Sequence, residues 1–360
     1  MEITPTRRRK RPPTISDVAA RAGVSAMTVS RVINGENNVR PVTRDAVKAA
    51  IAALNYAPNP AAQTLAGSTQ IRIALLYSNP SAAYLSEFLV GGLDQASRSN
   101  IQLVVEKCEP DHHEGEVARR LVANGIDGVI LPPPLCDSEL VIEALVETGT
   151  PGVAVATGRA PEGLCTVSID DYRAAFAMTT HIASLGHQRI GFILGNPNQT
   201  ASGRRYEGYR DALAAAGLPV LDELVAPGFF TYRSGLDAAE QLLELAEPPS
   251  AIFASNDDMA AAAVAVAHRR GLDVPGDLTV CGFDDTALAT TIWPELTTIH
   301  QPITDMSRAA IDLLLDQVRA RRSADPGDCT RLLLDFTLVR RQSDAAPRKR
   351  PAARIVRSKV

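Results

Sequence analysis

The sequence predicts an all-α head followed by an α/β body of two doubly wound parallel-sheet lobes. Residues 14–56 carry apolar side chains at helical spacing, interrupted by short glycine-containing turns. From Ile71 onward, short apolar runs alternate with amphipathic stretches, which is typical of parallel sheets covered by helices on both faces. Because this second part spans about 270 residues, two lobes are expected rather than one.

The composition is that of an ordinary globular protein, with 45% hydrophobic and 22% charged residues. No run of 18 apolar residues occurs, so a membrane span is not expected. The basic cluster at 7–11 precedes two prolines rather than an apolar export segment, which favours a cytoplasmic protein. Five scattered cysteines without C-x-x-C spacing predict reduced thiols, and neither a metal nor a cofactor is expected.

The charge distribution singles out the two ends of the chain. Residues 1–70 hold 10 Lys/Arg against 4 Asp/Glu, and residues 340–360 hold 8 against 1, although the whole chain has a net charge of −4. The intervening body is therefore strongly acidic and would be repelled by DNA, whereas the head would be attracted to phosphates. Charge alone leaves open a solvated basic terminus that has no partner.

The head reads as three short helices. Thr14 is the expected N-cap of the first, with Asp17 three residues later, and Gly23 fits a left-handed helix end. Ser25 and Thr43 are the expected caps of the second and third helices. The predicted inward side chains are Val29, Val32, Ile33, Val47, Ile51 and Leu54. Two short helices around a tight turn, with a third closing the core, indicate a helix-turn-helix.

A short linker helix is predicted next. Asn59 suits an N-cap, Pro60 the first helical position and Gly67 the C-terminal stop. Because isolated helices shorter than about 12–15 residues are marginal in water, this segment should fold only when something holds it.

The sequence of the body predicts an alternating series of strands and helices. Its strands are expected at 71–76, 103–105, 128–131, 153–155, 189–194, 251–254 and 278–281. Its helices are expected at 84–96, 114–123, 138–146, 172–184, 204–216, 233–245, 259–270 and 303–320. Lobes of this kind bind ligands beyond the carboxyl ends of their strands.

An ordered series of longer motifs then indicates a family. The head carries Thr-Ile-Ser-Asp-Val-Ala-Ala-Arg-Ala-Gly-Val-Ser at 14–25 and Thr-Val-Ser-Arg-Val-Ile-Asn at 28–34. The body carries Leu-Gly-His-Gln-Arg-Ile-Gly-Phe at 185–192, Ser-Asn-Asp-Asp-Met-Ala at 255–260 and Gly-Phe-Asp-Asp at 282–285. Over residues 14–341 the chain resembles the lactose repressor (LacI/GalR) family, which implies lobes of periplasmic-binding-protein type.

The resemblance implies a homodimeric, nucleoid-associated transcriptional regulator, with repression as its expected role. Its implied partners are double-stranded operator DNA and a small effector, a sugar or sugar derivative, that binds between the lobes and controls DNA affinity. The implied domains are a basic arm (1–13), a helix-turn-helix domain (14–58), a hinge helix (59–70), an effector-binding and dimerisation domain (71–342) and a basic tail (343–360). Both ends are expected to be disordered.

The second helix of a helix-turn-helix enters the major groove, and the resemblance makes Ala26, Met27 and Arg31 its base-facing residues. Arg31 can donate to guanine, whereas Ala26 and Met27 offer only apolar contact. The expected phosphate contacts are Thr14, Ser16 and Ser30. The other predicted DNA contacts are Ser25, Thr28, Asn34, Asn59, Ala62, Gln63 and Leu65. A merely solvated helix face is the alternative interpretation.

Leu65 has two interpretations. As the resemblance implies, a pair of such leucines in a dimer would wedge into the minor groove and unstack a central base step. Alternatively, Leu65 packs its short helix against the body. The small residues Ala61 and Ala62 favour the wedge, because they let two helices approach closely.

The effector site is also assigned by resemblance. Arg205 and Asp284 are the strongest expected contacts, followed by Asn256 and Gln301. The first lobe is expected to contribute Ser78, Tyr84 and Leu85. Trp293 either packs over a sugar face or fills the hinge, and both interpretations stay open. Paired carboxylates such as Asp284 and Asp285 also suit catalysis, but the sequence shows no activated nucleophile beside them, so binding is favoured.

One departure concerns the segment after Val155. Many sugar-responsive relatives carry an acidic residue there, whereas this chain has Ala-Thr-Gly-Arg at 156–159. A hydroxyl acceptor is thus missing, and the alternative expectation is that Arg159 meets an anionic group of the effector, which argues against an ordinary neutral sugar. Two other classes share the body architecture, namely periplasmic sugar-binding proteins and enzymes on the same scaffold. The sequence does not reveal whether the effector releases the protein from DNA or promotes binding.

Overall fold

Three short helices form the head because apolar side chains recur on one side of each. They are α1 (Ile15–Ala22), α2 (Ala26–Ile33) and α3 (Pro41–Leu54). Their common core consists of Val18, Ala19, Val29, Val32, Val47 and Ala50. The structure, a computed structural model, describes residues 13–33, 39–54, 56, 70–109, 113–323 and 329–348. The chain divides into two units at Gln70–Ile71.

The helix ends follow the predicted capping chemistry with one exception. The backbone N–H and the hydroxyl of Thr14 both donate to Asp17 Oδ2 at 2.7 Å, and Gly23 adopts φ 66°. The Thr28 N–H donates to Ser25 Oγ at 3.2 Å. The prediction that Thr43 caps α3 is wrong, because that helix begins at Pro41. Proline suits a first helical position, where a backbone N–H has no intrahelical acceptor.

The second unit contains the α/β body, which starts with the first lobe. In chain order its elements are β1 (Arg72–Tyr77), α4 (Ala82–Arg98), β2 (Gln102–Lys107), α5 (Glu114–Ala123), β3 (Gly128–Leu131), a 3₁₀ turn (Leu135–Asp137), α6 (Glu139–Glu147), β4 (Gly152–Val155) and β5 (Cys165–Ser168).

The chain then crosses to the second lobe. Its elements are α7 (Asp171–Ser184), β6 (Ile190–Ile193), α8 (Thr200–Ala215), a 3₁₀ turn (Asp222–Leu224), β7 (Val225–Ala226), α9 (Tyr232–Leu243), β8 (Ala251–Ala254), α10 (Asp257–Arg269), β9 (Thr279–Asp284), α11 (Leu288–Thr291) and β10 (Thr297–His300).

Two further crossings complete both lobes. Helix α12 (Ile303–Arg322) and β11 (Arg331–Leu333) return to the first lobe, and β12 (Thr337–Val339) joins the second. The strand orders are β11-β5-β4-β3-β1-β2 and β12-β10-β9-β8-β6-β7. The strand pairings are parallel except for β12, which runs antiparallel to β10. The predicted fold class, a helical head with two parallel-sheet lobes, is confirmed.

Continuous burial explains why the central strands were predictable. Strands β3, β4, β6 and β8 are buried along their whole length, as apolar strands covered on both faces should be. The strands that the sequence analysis missed are β5, β7, β10, β11 and β12. They are two to four residues long, and β5 and β10 are rich in threonine and other polar residues.

The predicted start of a disordered tail at Ser343 is wrong. Ser343 Oγ donates to the Val280 carbonyl at 2.5 Å and accepts from the Thr297 N–H at 2.8 Å. Ser343 and Asp344 are both buried in the second lobe, and the described order continues to Arg348. None of the helices within the described ranges has the length and apolar content to cross a bilayer.

Candidate functional site

The outward face of α2 carries the residues predicted to read DNA bases. Val29 and Val32 pack inward, so Ala26, Met27 and Arg31 lie on the opposite, exposed side of the helix. Met27 is 64% exposed and is therefore accessible to a partner. This face is open, as the predicted insertion of α2 into the major groove requires.

The other predicted DNA contacts fall into two groups. Ser16 and Ser25 are exposed, and Thr14, Thr28 and Ser30 are half-buried near the ends and flanks of α1 and α2. Asn34, Asn59, Ala62, Gln63 and Leu65 lie outside the described residues, so their roles stay predictions.

Within the body, a narrow cleft lies between the two lobes. It brings together five of the eight predicted effector contacts: Tyr84, Arg205, Asn256, Asp284 and Gln301. The rest of its lining consists of Asn79, Ser81, Pro133, Ala156, Gln199, Ala201 and Phe230.

The cleft lining does not include Ser78, Leu85 or Trp293. Ser78 and Leu85 are partly buried beside it in the first lobe. Trp293 is 74% exposed, so in this structure its indole neither covers the cleft nor fills the hinge.

Arg205 is a fixed positive charge in the wall of the cleft. Its Nε donates to Asp171 Oδ1 at 2.7 Å and its Nη1 to the Ser255 carbonyl at 2.5 Å. Its guanidinium carbon also lies 3.6 Å from the centroid of the Phe283 ring, a cation–π contact. These contacts hold the buried guanidinium at one orientation while its Nη1 faces Asp284 Oδ1 at 3.9 Å.

Asp284 sits at the carboxyl end of β9, where the backbone turns sharply into the cleft. Its φ is 109° and that of Asp285 is 59°, both rare for residues with a Cβ. Gln301 Nε2 donates to Asp284 Oδ1 at 2.6 Å. Burial raises the pKa of Asp284 well above its usual range, although Arg205 opposes this shift. The carboxyl can therefore take up a proton and both accept and donate hydrogen bonds.

Two buried polar atoms of cleft-lining residues lack hydrogen-bond partners within the described part of the chain. The Tyr84 hydroxyl and Gln301 Oε1 are buried and have no hydrogen-bond partner among the described residues. Burial raises the pKa of Tyr84 well above its usual range, so its hydroxyl remains a donor. An unsatisfied buried polar group costs about 1–3 kcal/mol. A ligand rich in hydroxyl groups would satisfy both atoms, because a hydroxyl both donates and accepts.

Asn256 stabilises the wall of the cleft through two hydrogen bonds. Its Oδ1 accepts from the Met259 N–H at 3.0 Å and caps α10, while its Nδ2 donates to the Phe230 carbonyl at 3.1 Å. The amide thus fixes the edge of the cleft and positions the Phe230 ring, which lies 5.8 Å from the Arg205 guanidinium.

Hydrogen bonds also tie the lobes together beside the cleft. Asp137 of the first lobe accepts from the backbone N–H and the hydroxyl of Thr200 at 2.8 and 2.9 Å. The Gly158 N–H donates to Thr200 Oγ1 at 2.8 Å. Ser81 Oγ donates to Asp258 Oδ2 at 2.5 Å across the opposite rim. These pairs were not predicted, since their members are 42 to 177 positions apart in the chain.

The segment at 156–159 thus contributes to lobe contact rather than offering a carboxylate. Thr157 Oγ1 donates to Asp137 Oδ1 at 2.7 Å, and Gly158 approaches α8 so closely that an added Cβ would lie 2.7 Å from the Thr200 and Ala201 backbone.

Comparison with known proteins agrees with this architecture. Residues 14–59 match the lacI family of bacterial regulatory proteins, and residues 179–343 match the periplasmic binding protein-like domain. The transcriptional regulator CelR of Thermobifida fusca is 36% identical over 93% of this chain and 99% of its own length. The repressor CytR of Escherichia coli K12 is 33% identical over 93% and 97%.

Solved structures give the same result in three dimensions. A CelR–cellobiose complex superposes with a TM-score of 0.69 at 33% identity, covering 92% of this chain and 99% of that one. A lac repressor dimer bound to operator and the anti-inducer ONPF superposes with a TM-score of 0.81 at 28% identity, covering 93% and 100%. The chain therefore belongs to the lacI family of bacterial regulatory proteins.

Proposed function

We propose that this protein is a dimeric transcriptional repressor whose affinity for operator DNA is controlled by a neutral or weakly charged sugar-like metabolite bound between the lobes. The observation that carries the effector half is the pair of unsatisfied cleft atoms, the Tyr84 hydroxyl and Gln301 Oε1, beside the buried Arg205 and Asp284. The DNA-binding part of the proposal is supported by family membership and by the exposed face of α2.

The cleft chemistry favours a polyhydroxylated ligand over a strongly anionic one. Among the described lining residues the one buried cation is Arg205, which is already bonded to Asp171 and lies close to Asp284. An incoming phosphate would thus meet acidic groups, whereas sugar hydroxyls can bond to carboxylates, amides and the Tyr84 hydroxyl alike. The cellobiose complex of CelR supports this ligand class.

DNA binding is tested with the full-length chain and a pool of random double-stranded oligonucleotides. Successive rounds of selection should enrich a palindrome with half-sites about one helical turn apart, as a two-fold symmetric dimer requires. Failure to enrich any sequence over the starting pool would contradict operator recognition.

The effector is tested by thermal shift with cellobiose, ribose, a nucleoside and a sugar phosphate. A ligand at 100 times its Kd should add about 2.7 kcal/mol of stability. The stabilising compound is then added to the selected operator complex, and the direction of the affinity change identifies an inducer or a corepressor.

We also propose that the protein acts on the nucleoid in the cytoplasm and turns over no substrate. The absence of turnover is checked by incubating the protein with the stabilising compound for a prolonged period. The compound should be recovered unchanged.

A further inference from the structure

A second pocket, roomier than the effector cleft, lies at the β11 edge of the first lobe's sheet. Its volume is about 280 Å³, close to the lower end of the range for small-molecule sites. This edge pocket is lined by Thr157, Gly158, Ala160, Thr166, Ser168, Ile169, Asp170, Asp171, Arg204, Arg331, Leu332 and Leu333. None of these residues lines the effector cleft, so the two are separate spaces.

One face of the β5–β11 strand pair forms the floor of the edge pocket. The register places Arg331 beside Thr166 and Leu333 beside Ser168, and residues two positions apart in a strand share a face. Val167, between the two polar residues of β5, points to the opposite face and is buried in the lobe core. Two hydroxyls and a guanidinium therefore lie on the face that the edge pocket covers.

Two of the four charged residues in the edge pocket already have partners. Asp171 Oδ1 accepts from Arg205 Nε at 2.7 Å, and Arg204 pairs with Glu207 on the same helix. Because Arg205 lines the effector cleft, Asp171 belongs to the wall between the two spaces. Arg204 lies on α8 of the second lobe, whereas β5 and β11 belong to the first, so a ligand in the edge pocket can contact both lobes.

The other two charges, on Asp170 and Arg331, have opposite signs. Asp170 uses one carboxylate oxygen, Oδ1, to accept from the Arg173 N–H at 3.0 Å at the start of α7. Neither Asp170 nor Arg331 forms an ion pair with any residue in the described part of the chain. The edge pocket thus offers a ligand one uncompensated anion and one uncompensated cation.

We propose that the edge pocket binds a small zwitterion, an amino acid, with its carboxylate on Arg331 and its ammonium group on Asp170. A guanidinium can hold a carboxylate through two parallel hydrogen bonds, and an ammonium group has three donors for carboxylate and hydroxyl oxygens. Thr166 and Ser168 supply such hydroxyls on the floor. A simple anion would be repelled by Asp170 and a simple cation by Arg331, so a molecule that carries both charges is favoured.

The ligand class is tested by thermal shift of the full-length chain with each protein amino acid in turn, at millimolar concentration. At least one should raise the Tm, because a ligand that binds only the folded state stabilises it. Calorimetry then compares that amino acid with its 2-hydroxy acid, which lacks the ammonium group, and with its methyl ester, which lacks the carboxylate. Both analogues should bind about tenfold more weakly or worse.

Site-directed variants test the location. Arg331→Gln and Asp170→Asn should each weaken binding of the amino acid by about tenfold or more, and the asparagine keeps the oxygen that caps α7. The matched controls are Arg319→Gln and Asp316→Asn, which alter an exposed ion pair on α12 and should leave affinity within about twofold. Hydrogen exchange of the 331–333 amides should slow when the amino acid binds.

Three results would overturn the proposal. If no amino acid raises the Tm or gives a calorimetric signal, the edge pocket is not an amino-acid site. Equal binding of the 2-hydroxy acid would remove the role of Asp170. Full affinity in both Arg331→Gln and Asp170→Asn, or exchange protection confined to residues 79–84 of the effector cleft, would place the amino acid elsewhere.

Discussion

Asp137 in the first lobe caps Thr200, the first residue of α8 in the second lobe. The carboxylate accepts from the Thr200 N–H and hydroxyl at 2.8 and 2.9 Å. A helix N-terminus carries a partial positive charge, so an anion is favourable there. Gln199 precedes the helix but makes no side-chain capping bond, so the cap of this helix comes from the other lobe. If the lobes separate, α8 therefore loses its N-terminal cap.

Removing this cap should shift the lobes toward a more open arrangement. Asp137→Ala leaves the Thr200 donors unpaired, and a charge-assisted hydrogen bond contributes about 1.5–3 kcal/mol. Small-angle scattering of the ligand-free protein should show a larger radius of gyration. The control is Asp127→Ala, because Asp127 accepts from the Arg72 N–H at 2.8 Å within one lobe. Equal expansion in both variants would show that Asp137 has no special role in closure.

Gly158→Ala should have a similar effect through steric contact. The added methyl would lie 2.7 Å from backbone atoms of Thr200 and Ala201, which is closer than van der Waals contact allows. We expect weaker binding of the stabilising sugar by about tenfold or more, measured by calorimetry. Gly203→Ala in α8 has no atom within 4 Å of the new methyl and should preserve affinity, with helix stability gaining up to about 1 kcal/mol.

Asp284→Asn should separate ligand response from DNA binding. The asparagine keeps the size of the side chain and one oxygen, but it removes the titratable carboxyl to which Gln301 donates. Sugar-induced thermal stabilisation should fall steeply, while affinity for the selected operator without sugar stays within about twofold. An unchanged sugar response would refute the assignment of Asp284 to the effector site.

Arg31→Ala should weaken recognition of the selected operator by about 1–3 kcal/mol and relax the base preference at one position of each half-site. Binding to random DNA should change less, since phosphate contacts remain. Fluorescence anisotropy with both DNAs measures the difference. Lys48, exposed on α3, is the comparison, and Lys48→Ala should leave the base preference intact.

The buried Asp257 should make stability fall as pH rises. Burial raises its pKa to about 7, in spite of hydrogen bonds from Thr298 and Thr286 at 2.7 and 2.8 Å. The folded state thus holds a proton that the unfolded state loses near pH 4, and stability declines as pH passes from there through about 7. The Tm should drop between pH 5 and 8, and Asp257→Asn should reduce that slope without abolishing it, because burial also raises the pKa of Asp284.

Asp344 should affect the pH dependence of stability in the opposite direction to Asp257. Burial alone would raise its pKa, but hydrogen bonds from His181, Thr297 and Arg340 outweigh burial and hold the pKa at about 2. Its contribution is present above pH 4 and is lost as pH falls through about 2. Asp344→Asn should therefore lower Tm at neutral pH. An unchanged Tm in this variant would contradict a stabilising role for the hydrogen bonds to Asp344.

Local chemistry explains which parts of the fold and site were predictable. The capping of α1 and the buried strands follow from local residue patterns, whereas Arg205, Asp284 and Gln301 were assigned to the cleft by family resemblance. The lobe contacts do not, because Ser81 and Asp258 come together only through the tertiary fold, 177 positions apart. Likewise, β10 is a buried strand whose sequence, Thr-Thr-Ile-His, gives little hydrophobic signal.

The sheet orders have a consequence for synthesis on the ribosome. The first lobe lacks α12 and β11 until residues 303–333 have emerged, although its other strands precede residue 169. Translation must therefore deliver nearly the entire nascent chain before either sheet can acquire its last strand. Genetic fragments cut at residue 170 would leave the edge of β5 uncovered, and such fragments should require coexpression of the remainder to become stable.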